Sequence, residues 1–392
     1  MAGERVQSVD ILRGAVMIVM ALDHVRDFVH SAAQHFVPED LARTTEAIFF
    51  TRWITHFCAP VFMFLAGTGA FFWVQRRGRT TGDLARLLFT RGLWLIFLEL
   101  TVIHVSFYFN WTYRIVPLIT FWALGWSMIA LAAQVRLPYR ILLGLSLAII
   151  ALHNLLDVFN ARQFGEFAWL WEFLHQQGVL SIGGDHLIVF GYPVIPWISV
   201  MAAGYCFGRV FLMEAAARQK LLVRLGAALT AAFVVLRAIN IYGDPARWSQ
   251  QKSAMFTVIS FLNCRKYPPS LDFLLMTLGP AILILGLIEN VRLRDRNPLL
   301  VFGRVPLFYF VIHIPLIHAT AMMLALVRYG HAGFLFDISN TTGGNTAYPA
   351  DYGYSLGATY AIWAALVALL YFPCRWYAEL KRTRTDWWLT YL

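Results

Sequence analysis

Ten long apolar stretches constrain the fold of this chain more than any other feature. A helix rises about 1.5 Å per residue, so about 20 consecutive apolar residues cross the roughly 30 Å hydrocarbon core of a bilayer. Hydrophobic residues make up 59% of the 392 positions and charged residues only 14%, whereas about half of a soluble domain is apolar. We therefore predict an all-α, polytopic membrane protein with about ten transmembrane helices. The windows long enough to span the bilayer are 9–29, 48–74, 84–108, 116–135, 139–159, 193–213, 219–239, 270–289, 298–327 and 355–378.

Basic residues cluster in alternate loops between these windows, as in residues 75–79 and 292–296. Lys and Arg beside a span resist translocation, so those loops and both termini are predicted to be cytoplasmic. This topology accounts for the net charge of +10, and we therefore expect no nucleic-acid partner. The expected location is the plasma membrane, which is the inner membrane in a bacterium.

The chain has no Pro-rich or Gly/Ser-rich linker, so residues 1–392 are predicted to form one integral-membrane domain. Residues 160–192 form a predicted external loop, either with an interfacial helix or as a simple connection. Residues 379–392 mix Arg, Lys and Trp and are expected to form an amphipathic cytoplasmic tail. The charges of the first window disfavour a signal peptide, because a signal peptide needs an uninterrupted apolar region.

Arg13 and His24 lie eleven positions apart in the first window. Eleven helical steps return the second side chain to within about 20° of the first, roughly 16 Å further along the axis. A guanidinium and an imidazole inside a membrane are costly unless they meet partners or water. We therefore interpret the pair as part of a functional site.

Other polar residues in the windows fall into two layers. Arg13, Arg91 and Arg304 lie in the predicted inner half, where arginine forks suit an anionic cofactor arriving from the cytoplasm. The alternative is that Arg91 and Arg304 extend to the interface or pair with carboxylates.

The second layer contains histidines and carboxylates from mid-membrane to the predicted outer boundary. Asp27 lies three residues from His24 and can hold its tautomer, and Arg52 shares a helix face with His56. Asp157 is paired in the same way with His153. His313 lies between Pro306 and Pro315, which are expected to bend that helix around a cavity. For His104, His153 and His318, an interhelical hydrogen bond is the alternative.

Several segments carry a family resemblance. They are residues 5–27 with the Arg13 and His24 element, 59–67 (APVFMFLAG), 192–198 (YPVIPWI), 266–273 (KYPPSLDF) and 307–315 (LFYFVIHIP). In these segments the chain resembles bacterial heparan-alpha-glucosaminide N-acetyltransferase-like membrane proteins and, more distantly, the acyltransferase-3 family.

The resemblance implies transfer of an acyl group, usually acetyl from cytoplasmic acetyl-CoA, to a hydroxyl or amine of a carbohydrate on the far side. It marks Arg13, His24 and, less firmly, His313. The lysosomal enzymes of this name instead use a histidine in the loop before the second helix, for which His30 and His35 are the candidates here.

The resulting hypothesis is a membrane acyltransferase with acetyl-CoA as donor, without a metal. His24, Asp27, His313 and His56 are the catalytic candidates, as general base, acyl carrier or oxyanion stabiliser. Arg13, Arg91 and Arg304 are the candidates for cofactor binding, and Arg52 and Lys266 for substrate binding. The expected partners are the lipid bilayer, acyl-CoA and a carbohydrate or glycolipid acceptor, with a homodimer left open. Two rivals remain, a proton-coupled transporter with His/Asp relays and a haem-binding subunit with His ligands.

Overall fold

Fifteen α-helices account for most of the part of the chain that the structure describes. The computed structural model describes residues 6–75, 78–336, 348–384 and 386–391. The helices are α1 (Gln7–Val29), α2 (Glu46–Thr55), α3 (Cys58–Val74), α4 (Thr81–Leu98), α5 (His104–Tyr108), α6 (Thr120–Gln134), α7 (Tyr139–Leu152), α8 (Ala168–Leu174), α9 (Ile195–Phe207), α10 (Ala215–Ile239), α11 (Ala254–Leu262), α12 (Leu271–Leu287), α13 (Pro298–Arg304), α14 (Pro306–Tyr329) and α15 (Leu356–Thr383).

Seven helical segments within the described residues are long and apolar enough to cross a membrane. They are Glu46–Val74, Thr81–Tyr108, Tyr139–Val158, Ile195–Leu212, Ala215–Ile239, Pro306–Tyr329 and Leu356–Thr383. The chain is thus a multi-pass, mostly helical membrane protein, while the count of ten spans and the side of the termini stay predictions. Two of the other three windows contain shorter helices: α6 has 15 residues and α12 has 17, which gives about 22 Å and 25 Å.

The third of these windows, α1, has 23 residues and carries five of the charged groups described below: Asp10, Arg13, Asp23, Arg26 and Asp27. It packs against α2, α3, α12, α13, α14 and α15, and so lies inside the bundle. A helix surrounded by others can keep charged side chains in a membrane, because neighbouring helices supply their partners.

A small sheet departs from the all-α prediction. Strands β1 (Ile115–Leu118), β2 (Gly178–Ile182) and β3 (His186–Phe190) form it in the order β1-β3-β2, with β1 parallel and β2 antiparallel to β3. The predicted external loop at 160–192 therefore contains the β2–β3 hairpin as well as α8. That α8 lies at a membrane interface stays a prediction.

Proline divides the window at 298–327 into two helices, where the sequence predicts a bend. Val305 separates α13 from α14, with φ −131° and ψ 47°. The residue before a proline is driven away from helical geometry, and Pro306 has no N–H to lose at the first turn of a helix. The break brings the amino end of α14 to the wall of a cavity.

Two glycines set the close approach of α1 and α13. A Cβ at Gly14 would lie 1.9 Å from the Leu299 carbonyl oxygen, and one at Gly303 would lie 1.9 Å from that of Asp10. Only glycine allows backbones to meet at this distance. The contact brings Arg13 beside the end of α13.

The last described residues lie against α4. The Trp94 indole donates to the Tyr391 carbonyl at 2.9 Å, and the Tyr391 hydroxyl lies 2.9 Å from that of Thr90. Part of the predicted tail thus packs on the helix bundle, whereas residues 385 and 392 lie outside the described ranges.

Candidate active site

Arg13 and His24 both line a cavity of about 300 Å³. We call it the arginine cavity, because Arg13, Arg91 and Arg304 line it. His24 and Lys266 line it as well, and its apolar walls come from α3, α4, α6 and α14. The two α1 residues thus face one space, as their spacing predicts.

The three arginines differ in their bonding. Arg13 lies 3.4 Å from the Asp10 carboxylate and donates to the Gly303 carbonyl at 3.2 Å. Arg304 donates to Asp295 at 2.7 Å. Arg91 has neither a hydrogen bond nor an ion pair to any residue the structure describes, and its Nε is buried.

Among the described residues, the arginine cavity therefore has a positive charge at Arg91 that no ion pair compensates. Pro306, the first residue of α14, also lines it, so the partial positive charge of a helix amino end lies nearby. Both features favour an anionic group, because guanidinium forks and helix amino ends bind phosphate oxygens.

His24 is held by a second histidine. Its Nδ1 lies 2.8 Å from Nε2 of His313, which is fully buried. The Nδ1 of His313 faces two carbonyl oxygens, those of Phe310 at 2.7 Å and Tyr309 at 3.2 Å.

These contacts fix both neutral tautomers. A carbonyl oxygen only accepts, so His313 carries its proton on Nδ1 and accepts at Nε2. His24 consequently donates from Nδ1 and has an unprotonated Nε2, which is the ring nitrogen left for the arginine cavity. His24 is thereby prepared to accept a proton or to act as a nucleophile.

A second cavity, of about 310 Å³, lies beside the loop that follows α1. We call it the loop cavity. Its polar lining includes Asp27, His30, Gln34 and Glu39, while aromatic rings supply an apolar side. Hydrogen-bonding groups beside an aromatic surface suit a ligand with polar edges and an apolar face.

Charged residues form a network between the two cavities. Asp23, which lines the arginine cavity, lies 3.0 Å from Arg26 and also pairs with Arg52. Arg26 pairs with Asp27 at 2.6 Å, and Arg52 with Glu39 at 2.8 Å. Two guanidinium groups are thus shared among three carboxylates.

Glu39 and His30, which line the loop cavity outside the spans, have shifted pKa values. Burial alone would raise the pKa of Glu39, but the Arg52 guanidinium and His56 outweigh it and hold that pKa well below its ordinary value of 4.5. Burial and the nearby Arg26 charge lower the pKa of His30. Glu39 is consequently ionised, and His30 is neutral near pH 7.

The comparison with protein families decides the broad class. The model of the catalytic region of heparan-alpha-glucosaminide N-acetyltransferase matches residues 5–242. The chain belongs to this family. It is thus a membrane protein of an acetyltransferase family. A search of curated proteins finds no significant match.

The family match covers only part of the candidate site. It includes Arg13, His24, Arg52 and Arg91, whereas Lys266, Arg304 and His313 lie beyond residue 242. Their assignment to the candidate site depends only on their positions in the structure.

Two predicted catalytic residues lie elsewhere. Asp27 does not orient His24 as predicted: it pairs with Arg26, its side chain is 48% exposed, and it lines the loop cavity. An adjacent guanidinium is a stronger partner for a carboxylate than a neutral imidazole. His56 is fully buried, donates from Nε2 to Glu39 at 3.2 Å and lines neither cavity described here, so its interaction supports the network.

The two predicted substrate-binding residues are separated. Lys266 lines the arginine cavity, where it lies 5.0 Å over the Tyr267 ring. Arg52 lines the loop cavity. Among the alternative histidines, His30 lines the loop cavity, whereas His35 is exposed and lines neither of these cavities.

The outer pair predicted at His153 and Asp157 is also rearranged. Asp157 lies 3.0 Å from His175, while His153 Nε2 lies 2.8 Å from the Pro269 carbonyl. His153 thus bonds a backbone carbonyl of the loop before α12, and neither the predicted Asp157 pair nor the alternative interhelical bond forms.

Sequence reasoning missed Asp23, Arg26 and Glu39 as site residues. Asp23 and Arg26 have the i, i+3 spacing of a helical ion pair, which was a usable signal. Glu39 lies in a loop, so no periodicity predicts that it reaches Arg52. Within the described ranges, no group of three or more His, Cys, Asp or Glu side chains is arranged to hold a metal ion.

Proposed function

We propose that this protein transfers an acetyl group from cytoplasmic acetyl-CoA to a hydroxyl or amine of a carbohydrate across the membrane. The observation that carries the proposal is one cavity lined by Arg13, Arg91 and His24. Membership of an acetyltransferase family supports the reaction class and the donor. The carbohydrate acceptor and the inner membrane of a bacterium are part of the proposal.

In this proposal the CoA phosphates bind at Arg13, Arg91 and Arg304. Arg91 supplies a guanidinium that pairs with none of the described residues, and Arg13 and Arg304 add charge in the same cavity. The pantetheine arm then runs along the apolar wall toward His24. The roughly 16 Å axial distance between Arg13 and His24 is a length that an extended arm can span.

His24 acts as a general base at the thioester. Its Nε2 takes the proton of the acceptor as the acceptor oxygen or nitrogen attacks the thioester carbonyl. Collapse of the tetrahedral intermediate breaks the C–S bond, and the CoA thiolate receives the proton from His24. Lys266 is the candidate to stabilise the oxyanion, since its ammonium lines the same cavity.

His313 positions His24 and stabilises its cation. When His24 becomes imidazolium, its Nδ1–H is bonded to a neutral acceptor nitrogen 2.8 Å away. A hydrogen bond to a charged group is stronger than one between neutral groups. An acyl-histidine intermediate at the same Nε2 remains the alternative path.

The acceptor is proposed to approach through the loop cavity. Arg52 and Gln34 offer donors there, and Asp27 and Glu39 offer acceptors. Phe28, Phe107 and Tyr108 supply an apolar face, which suits one side of a sugar ring.

The two rival functions receive less support. The 2.8 Å contact between the nitrogens of His24 and His313 leaves no room for a haem iron between them. Proton-coupled transport would use His/Asp pairs, yet neither His24 nor His153 pairs with the aspartate predicted for it, and the His175–Asp157 pair lines neither cavity.

The test is transfer of radiolabelled acetyl from acetyl-CoA by the purified protein, with glucosamine and glucose as probe acceptors and CoA release as a second readout. We expect His24→Ala to lower transfer by about 10²–10⁴-fold, the range for loss of a general base. His318→Ala is the matched control, because it removes a buried histidine of α14 that lines neither cavity. Undiminished transfer by His24→Ala would overturn the assignment.

A further inference from the structure

The two cavities have no lining residue in common, yet their walls touch. Asp23 of the arginine cavity pairs with Arg26 and Arg52 of the loop cavity. Beside this pairing, the His24 ring meets the ring of Phe107 edge to face, with centroids 5.8 Å apart. His24 belongs to the arginine cavity and Phe107 to the loop cavity. The barrier is therefore one layer of side chains thick.

The charged part of this layer is compensated but incompletely bonded. Asp23, Asp27 and Glu39 more than neutralise the two arginines, so the layer holds together without a ligand. Arg26 nevertheless has Nε and Nη1 atoms that are buried and have no hydrogen-bond partner among the described residues. Because these N–H donors are unused, Arg26 can release one carboxylate and hydrogen-bond to another acceptor while it keeps its bond to the remaining carboxylate.

From this arrangement we infer that Asp23, Arg26 and Arg52 form a removable floor between the cavities. Closed, the floor keeps water in the loop cavity away from the thioester. Open, it lets an acceptor group reach His24. The assignment of donor and acceptor to the two cavities rests on the proposed function, whereas the floor itself is a property of the structure.

Asp23 is the residue on which the floor depends. It is the carboxylate that both arginines share, and the other two carboxylates each pair with only one of them. Replacing Asp23 with Asn removes the common counter-charge, whereas replacing Asp27 with Asn leaves both contacts to Asp23 in place.

Cys58 provides a reporter on the arginine-cavity side of the floor. Cys58 lines that cavity, whereas Cys206, Cys264 and Cys374 line neither cavity. We therefore propose a variant in which those three are alanine and Cys58 is retained. A small, membrane-impermeant sulfonate methanethiosulfonate is added from either side of sealed membrane vesicles. Residual thiol is counted after denaturation.

With the floor intact, Cys58 modification from the loop side should be at least about tenfold slower than from the arginine side, a barrier difference of about 1.4 kcal/mol. Asp23→Asn should remove most of this difference, and Asp27→Asn should keep it. Arg52→Gln is the second variant, in case Asp23→Asn does not fold. Equal rates from both sides with the floor intact would overturn the inference, as would an unchanged difference in a folded Asp23→Asn or Arg52→Gln protein.

This measurement requires no acyl transfer, so the two proposals fail separately. If the protein has another activity, the labelling difference persists. If the membrane orientation is the reverse of the predicted one, the fast and slow sides exchange and the difference remains. A floor that is already open abolishes the difference while acetyl transfer is retained.

Discussion

Replacing Arg91 with methionine should have opposite effects on stability and on donor binding. Arg91 has no hydrogen bond or ion pair to the described residues and shares the arginine cavity with Arg13 and Arg304. A partly buried, unpaired charge destabilises the protein without its ligand. We expect removal of this charge to raise the free energy of unfolding of the ligand-free protein by about 1 kcal/mol, which is about 2 °C in Tm.

The same substitution should weaken acetyl-CoA binding. A hydrogen bond to a charged group contributes about 1.5–3 kcal/mol, so loss of one guanidinium–phosphate contact should raise Kd by roughly 10–150-fold. Thermal unfolding and calorimetric titration of the purified protein, with and without acetyl-CoA, measure both quantities. Arg86→Met is the control, because Arg86 is exposed on the same helix and lines neither cavity.

An arginine with only a structural role would give the reverse pattern. Arg91→Met would then lower the stability of the ligand-free protein and leave the affinity for acetyl-CoA unchanged. Such a result would refute the interpretation of the arginine cavity as an anion site.

Three further predictions follow from single contacts. His313→Ala should lower kcat by roughly 10–150-fold, because it removes one hydrogen bond to a charged group. In a His24→Ala background, the same substitution should cause no further loss of kcat. Additive losses of kcat in steady-state assays would contradict the pairing. Glu39→Gln should lower Tm near pH 7, because a depressed carboxylate pKa stabilises the fold above the unfolded pKa near 4.5. That difference should shrink only as the pH falls below 4.5 through the folded pKa, and a Tm difference that disappears already by pH 6 would count against the ion pair. Gly303→Val should destabilise the protein by about 3 kcal/mol or more, since its Cβ would lie 1.9 Å from a carbonyl oxygen of Asp10; thermal unfolding at wild-type Tm would disprove the close contact.

The features that depend on one regular helix could be predicted from the sequence. Arg13 and His24 face the same cavity because eleven residues are close to three full turns. Pro306 interrupts its helix because the constraint on the preceding residue is local. The seven long apolar segments follow from length and composition alone.

The features that depend on contacts between elements could not be predicted in this way. Helical spacing allows Asp27 to reach His24. It does not reveal that Asp27 instead forms an ion pair with Arg26, or that His24 instead hydrogen-bonds to His313. Strand β1 pairs with β3 across about 70 residues, and no local pattern specifies this pairing. The loop cavity likewise needs a loop, three helices and the distant residues Leu335 and Tyr348 to come together.

The most direct test of the account is a cryo-EM map of the protein with bound acetyl-CoA in lipid nanodiscs. The account predicts density through the arginine cavity, with phosphates within hydrogen-bonding distance of Arg13 or Arg91 and the thioester beside Nε2 of His24. Acetyl-CoA bound outside this cavity, or with its thioester directed away from His24, would contradict it.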